Sequence, residues 1–150
     1  MANQENNVPP PKAQVRDYMS SPVEVLEAGQ SMLEAVLTLR KFGFRHIPIL
    51  ENGRLAGVIS ERDLWRFSPT TLLPLSERDY SRVFEETTIG RVMTRNPQTI
   101  GPEAPLAEAV SIMFQKKLGC LPVVEGGELV GILTVRDMLR ALNDLIAPGS

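Results

Sequence analysis

Arg45–Leu64 reads RHIPILENGRLAGVISERDL, and Gly119–Met138 reads GCLPVVEGGELVGILTVRDM, 74 positions later without a gap. Pro48/Pro122, Glu51/Glu125, Gly53/Gly127, Leu55/Leu129, Gly57/Gly131, Arg62/Arg136 and Asp63/Asp137 are identical pairs. Ser60/Thr134 and most apolar positions exchange conservatively, so the chain carries an internal repeat. In each copy, β-branched-rich runs flank a turn: His46–Leu50 and Leu55–Ser60 around Asn52-Gly53, Leu121–Val124 and Leu129–Leu133 around Gly126-Gly127. Asn-Gly and Gly-Gly supply the positive φ that a tight hairpin needs. Each copy therefore predicts a hairpin whose second strand passes through a hydroxyl residue into a helix, Glu61–Phe67 or Val135–Ile146.

Outward from the hairpins, Ser31–Phe42 (SMLEAVLTLRKF) has apolar residues at 32, 33, 36, 37 and 39. That is a helical period, with Ser31 as N-cap, Glu34 three residues on, and Gly43 as the stop. Pro105–Lys117 is its counterpart, with Pro105 suited to the first turn. Pro22–Val25 and Pro97–Ile100 predict short strands, preceded by Met19 and Met93 at the same offset. Each repeat is thus βαββα, and the fold class is α+β (α/β mixed). The expectation is two repeats packed with pseudo-two-fold symmetry, small mixed sheets lying against helices. The boundaries read as a flexible leader 1–14, repeat 15–67, linker 68–88, repeat 89–146 and tail 147–150. The linker starts irregularly at Pro69 and Pro74 and then predicts a short helix, Ser76–Glu86, with Tyr80, Val83 and Phe84 on one face. A unit of about 60 residues is marginal alone. Pairing would bury its sheet, and a site at the junction would occur twice.

Composition narrows the function classes. At 150 residues, with 43% hydrophobic, 23% charged and a net charge of −2, the chain reads as an ordinary globular protein. No basic stripe points to nucleic acid, and no apolar run is long enough to span a membrane. MANQENNVPPPKAQ has no apolar core of a signal peptide, so a cytoplasmic location is expected. One cysteine and one histidine leave neither an internal disulfide nor a zinc site.

Ser60-Glu61-Arg62-Asp63 and Thr134-Val135-Arg136-Asp137 are the segments best suited to chemistry. Their plain reading is structural: a hydroxyl N-cap with an acid three residues on resembles a capping box. The binding reading uses the same geometry. Free N–H groups at a helix start suit phosphate, and a carboxylate can accept hydrogen bonds from both hydroxyls of a ribose. Capping alone does not require the recurring arginine, which favours binding. Arg45-His46 adds a fork of donors and a titratable ring for phosphate. The second copy has Gly119-Cys120 there, without that charge, and Cys120 reads as a small buried apolar residue. Trp65 and Phe67, on the short helix after Asp63, belong either to the core or to a subunit interface. No nucleophile–base set, metal cluster or phosphate-binding glycine loop is present.

These residues resemble a pair of CBS (cystathionine-β-synthase) domains, a Bateman module, of the free-standing bacterial type. The likeness rests on M-(S/T) before each repeat, the LxEAv helix, the xPV strand and G-x-L-x-G-(I/V)-(I/L)-(S/T)-x-R-D-(L/M), all stated twice over about Val15–Leu145. The resemblance implies adenosine nucleotides (AMP, ADP or ATP) or S-adenosylmethionine in two clefts between repeats, with no cofactor required. It implies one site from Ser60, Asp63, Gln98, Thr99, Gly119, Cys120 and Pro122, with Arg136 near phosphate. It implies a second from Thr134, Asp137, Val23, Glu24, Arg45, His46 and Pro48, with Arg62 near phosphate. The second, more cationic, should prefer the more highly charged nucleotide. A homodimer through the repeat helices and an unnamed target protein are also implied. The expected function is a non-enzymatic regulatory sensor that signals by rearranging repeats or subunits. A purely structural pairing module with empty clefts, or a nucleotide hydrolase, are the competing readings.

Overall fold

The computed structural model describes residues 9–67 and 76–147. The first eight residues of the expected leader, the linker stretch with Pro69 and Pro74, and Pro148–Ser150 lie outside the described residues. In chain order the elements are α1 (Val15–Tyr18), β1 (Leu26–Glu27), α2 (Met32–Phe42), β2 (His46–Glu51), β3 (Arg54–Ser60), α3 (Glu61–Phe67) and α4 (Glu77–Glu86). There follow α5 (Ile89–Val92), β4 (Thr94–Arg95), α6 (Leu106–Lys116), β5 (Cys120–Glu125), β6 (Glu128–Thr134) and α7 (Val135–Ile146). A single 3-10 turn, Pro10–Lys12, precedes α1. The architecture is α+β, as the repeat pattern implies.

These elements form two compact units, one continuous over Glu24–Pro97, the other discontinuous, joining the described residues up to Val23 with those from Gln98 onward. The segment that opens each sequence repeat therefore lies in the unit built on the other hairpin. In the continuous unit the sheet order is β1-β2-β3-β4, with β1 parallel to β2 and the other pairs antiparallel. Asn52 (φ 54°) and Gly53 (φ 76°) make the hairpin turn, the positive pair that matches strand twist. Ser31 caps α2, its Oγ accepting from Glu34 N at 3.2 Å, and Gly43 ends it at φ 68°. The core gathers Met32, Ala35 and Leu39 from α2 with Ile47, Ile49, Ile59, Leu64, Ile89 and Met93, and Phe84 of α4 packs against it.

The discontinuous unit repeats the plan with fewer formal strands. β5 and β6 pair in the same register, Cys120 opposite Thr134 and Leu121 opposite Leu133. Single bridges, Ile100 to Val123 and Ser20 to Ile132, stand where β1 and β4 stand in the other unit. Its own core is Val15, Tyr18, Leu106, Ala109, Met113, Leu121, Val123, Leu133 and Ala141, among others.

The strands expected at Pro22–Val25 and Pro97–Ile100 are corrected. Pairing begins only at Leu26 in the first case and is confined to Ile100 in the second. Pro22 and Pro97 lack an N–H for the ladder, and Leu26 and Ile100 are the buried apolar anchors that face the core. The pairing of Thr94-Arg95 with Val58-Gly57 was not expected from sequence, since two residues carry no period to read. Gly57 and Gly131 explain how these segments approach so closely. A Cβ on Gly57 would stand 2.6 Å from Thr94 O and 2.7 Å from Met93 Sδ. On Gly131 it would stand 2.6 Å from Met19 Sδ and 3.1 Å from Ser20 O.

Candidate ligand-binding site

Each hairpin delivers a hydroxyl residue to the first turn of the following helix, and an aspartate three residues on folds back to it. Asp63 Oδ2 accepts from Ser60 N at 2.8 Å and from Ser60 Oγ at 2.9 Å, while Asp63 N donates to Ser60 Oγ at 3.1 Å. Asp137 Oδ2 accepts from Thr134 N at 2.9 Å and from Thr134 Oγ1 at 3.1 Å. Both acids are buried, 7% and 6% exposed. The capping box of the plain reading is present in both copies, with Asp in place of the usual Glu or Gln.

The other carboxylate oxygen does something capping does not require. Thr94 Oγ1 donates to Asp63 Oδ1 at 3.3 Å, and Ser20 Oγ donates to Asp137 Oδ1 at 3.4 Å. Ser20 and Thr94 are themselves 74 residues apart and both exposed. They are the residues that sequence reasoning missed. The signal was the repeated Met-Ser and Met-Thr, visible but not assigned a role. Oδ2 of each acid already accepts two hydrogen bonds, while Oδ1 accepts one hydroxyl.

Arg45 and His46 lie within the same unit as Ser60 and Asp63. His46 is the register partner of Ser60, and Glu61 N donates to Arg45 O at 3.2 Å. The two ends of Arg45–Leu64, which the resemblance assigns to different sites, lie in one unit. Burial pushes the His46 pKa below 6.5; Asp63 raises it, and Arg45 and Arg62 lower it further. Burial therefore favours the neutral form of the ring. At the equivalent positions of the other unit Gly119 is half-buried and Cys120 buried, and burial pushes the thiol up to about 12. Cys120 is accordingly an inert apolar residue.

The remaining expected residues divide by exposure. Arg62 and Arg136 are exposed on the first turns of α3 and α7. Pro48 and Pro122 are fully buried in β2 and β5. Glu24 is exposed and Val23 half-buried. Gln98 is exposed and accepts from Lys116 Nζ at 2.6 Å, beside half-buried Thr99. Among the described residues no cluster of His, Cys, Asp and Glu could hold a metal, and no helix is long and apolar enough to cross a membrane.

A family model described as CBS domain matches residues 15–64 and 89–144. Over 139 residues the chain is 28% identical to a CBS domain-containing protein of Dictyostelium discoideum, covering 91% of this chain and 96% of that one. It is 30% identical over 134 residues to the A-adding tRNA nucleotidyltransferase of Aquifex aeolicus, covering 89% of this chain but 15% of that enzyme. The fold is similar to that of CBSX2 in complex with AMP, with TM-score 0.73 and 26% identity over 89% of this chain and 98% of that one. It is equally similar to the CBS domain pair of MJ0100 in complex with 5′-methylthioadenosine and S-adenosyl-L-methionine, with TM-score 0.72 and 27% identity over 89% and 98%.

Proposed function

The chain belongs to the CBS domain family as a tandem pair, and from that premise we propose that it is a regulatory module binding an adenosine ligand. The single observation behind this reading is the buried aspartate built twice, each with Oδ1 turned toward an exposed hydroxyl rather than consumed by the cap. Relatives of the same fold hold AMP or S-adenosylmethionine. In the proposal, Asp63 and Asp137 hold the ribose diol beside Ser60 and Thr134. Arg45, His46, Arg62 and Arg136 are the residues that meet phosphate, as the resemblance implies. Val23, Glu24, Pro48, Gln98, Thr99, Gly119, Cys120 and Pro122 shape the adenine surroundings, as the resemblance implies. The reactive groups for turnover are missing from this set, so the output is conformational: the ligand biases one arrangement by binding it more tightly than another.

Titration calorimetry of the ligand-free chain with AMP, ADP, ATP and S-adenosylmethionine tests the proposal. Saturable binding of at least one, weakened at one site by Asp63→Ala and at the other by Asp137→Ala, is expected. Absence of binding by all four ends it.

The helices favour self-association as part of the same proposal. Val135, Leu139, Leu142 and Ile146 line one face of α7 at a helical period and are 51%, 59%, 47% and 71% exposed. Phe114 on α6 is 82% exposed and Trp65 on α3 is 71% exposed, so Trp65 belongs to the surface option rather than the core. Such an apolar face fits a second copy of the chain. Sedimentation should show a dimer, and Leu139→Glu should shift it to monomer with the ellipticity unchanged.

A further inference from the structure

We propose that Thr94, and Ser20 in the discontinuous unit, accept the second hydroxyl of the ligand's vicinal diol, so that each diol is read by a carboxylate oxygen and a hydroxyl together. This rests on the adenosine-ligand reading above and names residues that neither the sequence motif nor the comparisons assign.

A carboxylate has about four lone-pair positions. Ser60 N and Ser60 Oγ occupy those of Asp63 Oδ2 at 2.8 and 2.9 Å. Oδ1 accepts only the Thr94 hydroxyl among the described residues, at 3.3 Å, longer than the usual O–H···O bond of about 2.7–2.8 Å. One lone pair of Oδ1 is therefore open to a strong donor. Chelation of both ligand hydroxyls by the carboxylate alone would need Oδ2 to give up the cap.

Thr94 resolves the shortage. A hydroxyl has one proton and two lone pairs. Thr94 directs its proton to Oδ1, which leaves its lone pairs to accept. The ligand thus meets two acceptors on adjacent side chains, Oδ1 and Oγ1, 3.3 Å apart. A diol on neighbouring carbons can donate one proton to each. Both acceptors are held by backbone: Thr94 pairs with Val58, and the absence of a Cβ on Gly57 admits its carbonyl.

The discontinuous unit repeats the arrangement. Ser20 N donates to Ile132 O at 2.9 Å and Ile132 N to Ser20 O at 3.1 Å, fixing the Ser20 hydroxyl beside Asp137 Oδ1. Arg140 Nη2 also approaches that oxygen at 3.9 Å, drawing on its charge. Oδ1 of Asp137 is the poorer acceptor of the two.

The test is calorimetry with AMP, 2′-deoxy-AMP and 3′-deoxy-AMP on the wild-type chain, Thr94→Val, Thr94→Ser and Ser20→Ala. Wild type should bind AMP about tenfold more tightly than either deoxy form, one hydrogen bond being lost in each. Thr94→Val should erase discrimination against one deoxy form, to within about twofold, and keep it against the other, which Asp63 still reads. Thr94→Ser should restore the wild-type pattern. Ser20→Ala should act likewise at the second site. If Thr94→Val and Ser20→Ala bind AMP and discriminate as wild type does, this role is overturned while nucleotide binding stands. If wild type binds none of the three, the adenosine reading fails and this inference with it.

Discussion

The continuous and discontinuous units share a hairpin register, a positive-φ turn and a capping box, yet they differ in what stands beside the box. In one, His46 pairs with Ser60 and Arg45 precedes it; in the other, Cys120 pairs with Thr134 and Gly119 precedes it. Backbone plan and side-chain chemistry have separated. The plan is held by glycines, apolar alternation and the aspartate, which recur in both units, whereas the charge before the strand proline does not. A duplicated unit can thus keep one fold while the side chains beside its capping box differ in charge.

The two units should diverge most at the paired glycines. Gly57→Ala drives a Cβ against a backbone carbonyl, whereas Gly131→Ala meets first the flexible end of Met19. Overpacking should cost about 3 kcal/mol at Gly57 and about 1 kcal/mol at Gly131, measured by urea unfolding. Equal costs would show that Met19-Ser20 and Met93-Thr94 are held alike. Asp63→Ala and Asp137→Ala come next. Each removes a capping acceptor and strands a backbone N–H, for about 2 kcal/mol in either unit. Costs near zero would deny the capping box its structural share.

The contrast in charge predicts opposite pH limits. The folded pKa of His46 lies below 6.5, so below that pH the unfolded chain binds the proton first. Stability contributed by neutral His46 is full above pH 6.5 and falls as the pH drops through the folded value. His46→Gln should flatten the acid limb of the stability curve. In the discontinuous unit Cys120 is raised from 9.0 to about 12 by burial. Tyr18 is raised from 10.0 to about 12, first by burial and then by its hydrogen bond to Asp144 at 2.6 Å. Their share of stability is full below pH 9 and is lost as the pH rises toward 12. Cys120→Val should flatten that alkaline limb and leave the acid one unchanged. A similarly small effect is expected of Tyr18→Phe at neutral pH, about 1 kcal/mol for a hydrogen bond to an exposed carboxylate, read by thermal unfolding.

Much of this was legible in the sequence because it is local. The Asn52-Gly53 turn, the α2 helix with its Ser31 cap, and the spacing of Ser60 to Asp63 each depend on residues a few positions apart. The family resemblance also followed from such spacings, repeated. Ser20 and Thr94 escaped because their partners are distant. Ser20 reaches Asp137 across 117 positions and Thr94 reaches Asp63 across 31. Nothing in a short hydroxyl residue announces which carboxylate it will meet.

At Arg45–Leu64, the order of strand, turn, strand and helix follows from alternation, glycine and capping chemistry, which act along the chain. The division of each aspartate into a capping oxygen and an open one does not. It requires Thr94 and Ser20 to be laid against the hairpin edge, and long-range pairing, admitted by the bare Cα of Gly57 and Gly131, is what lays them there.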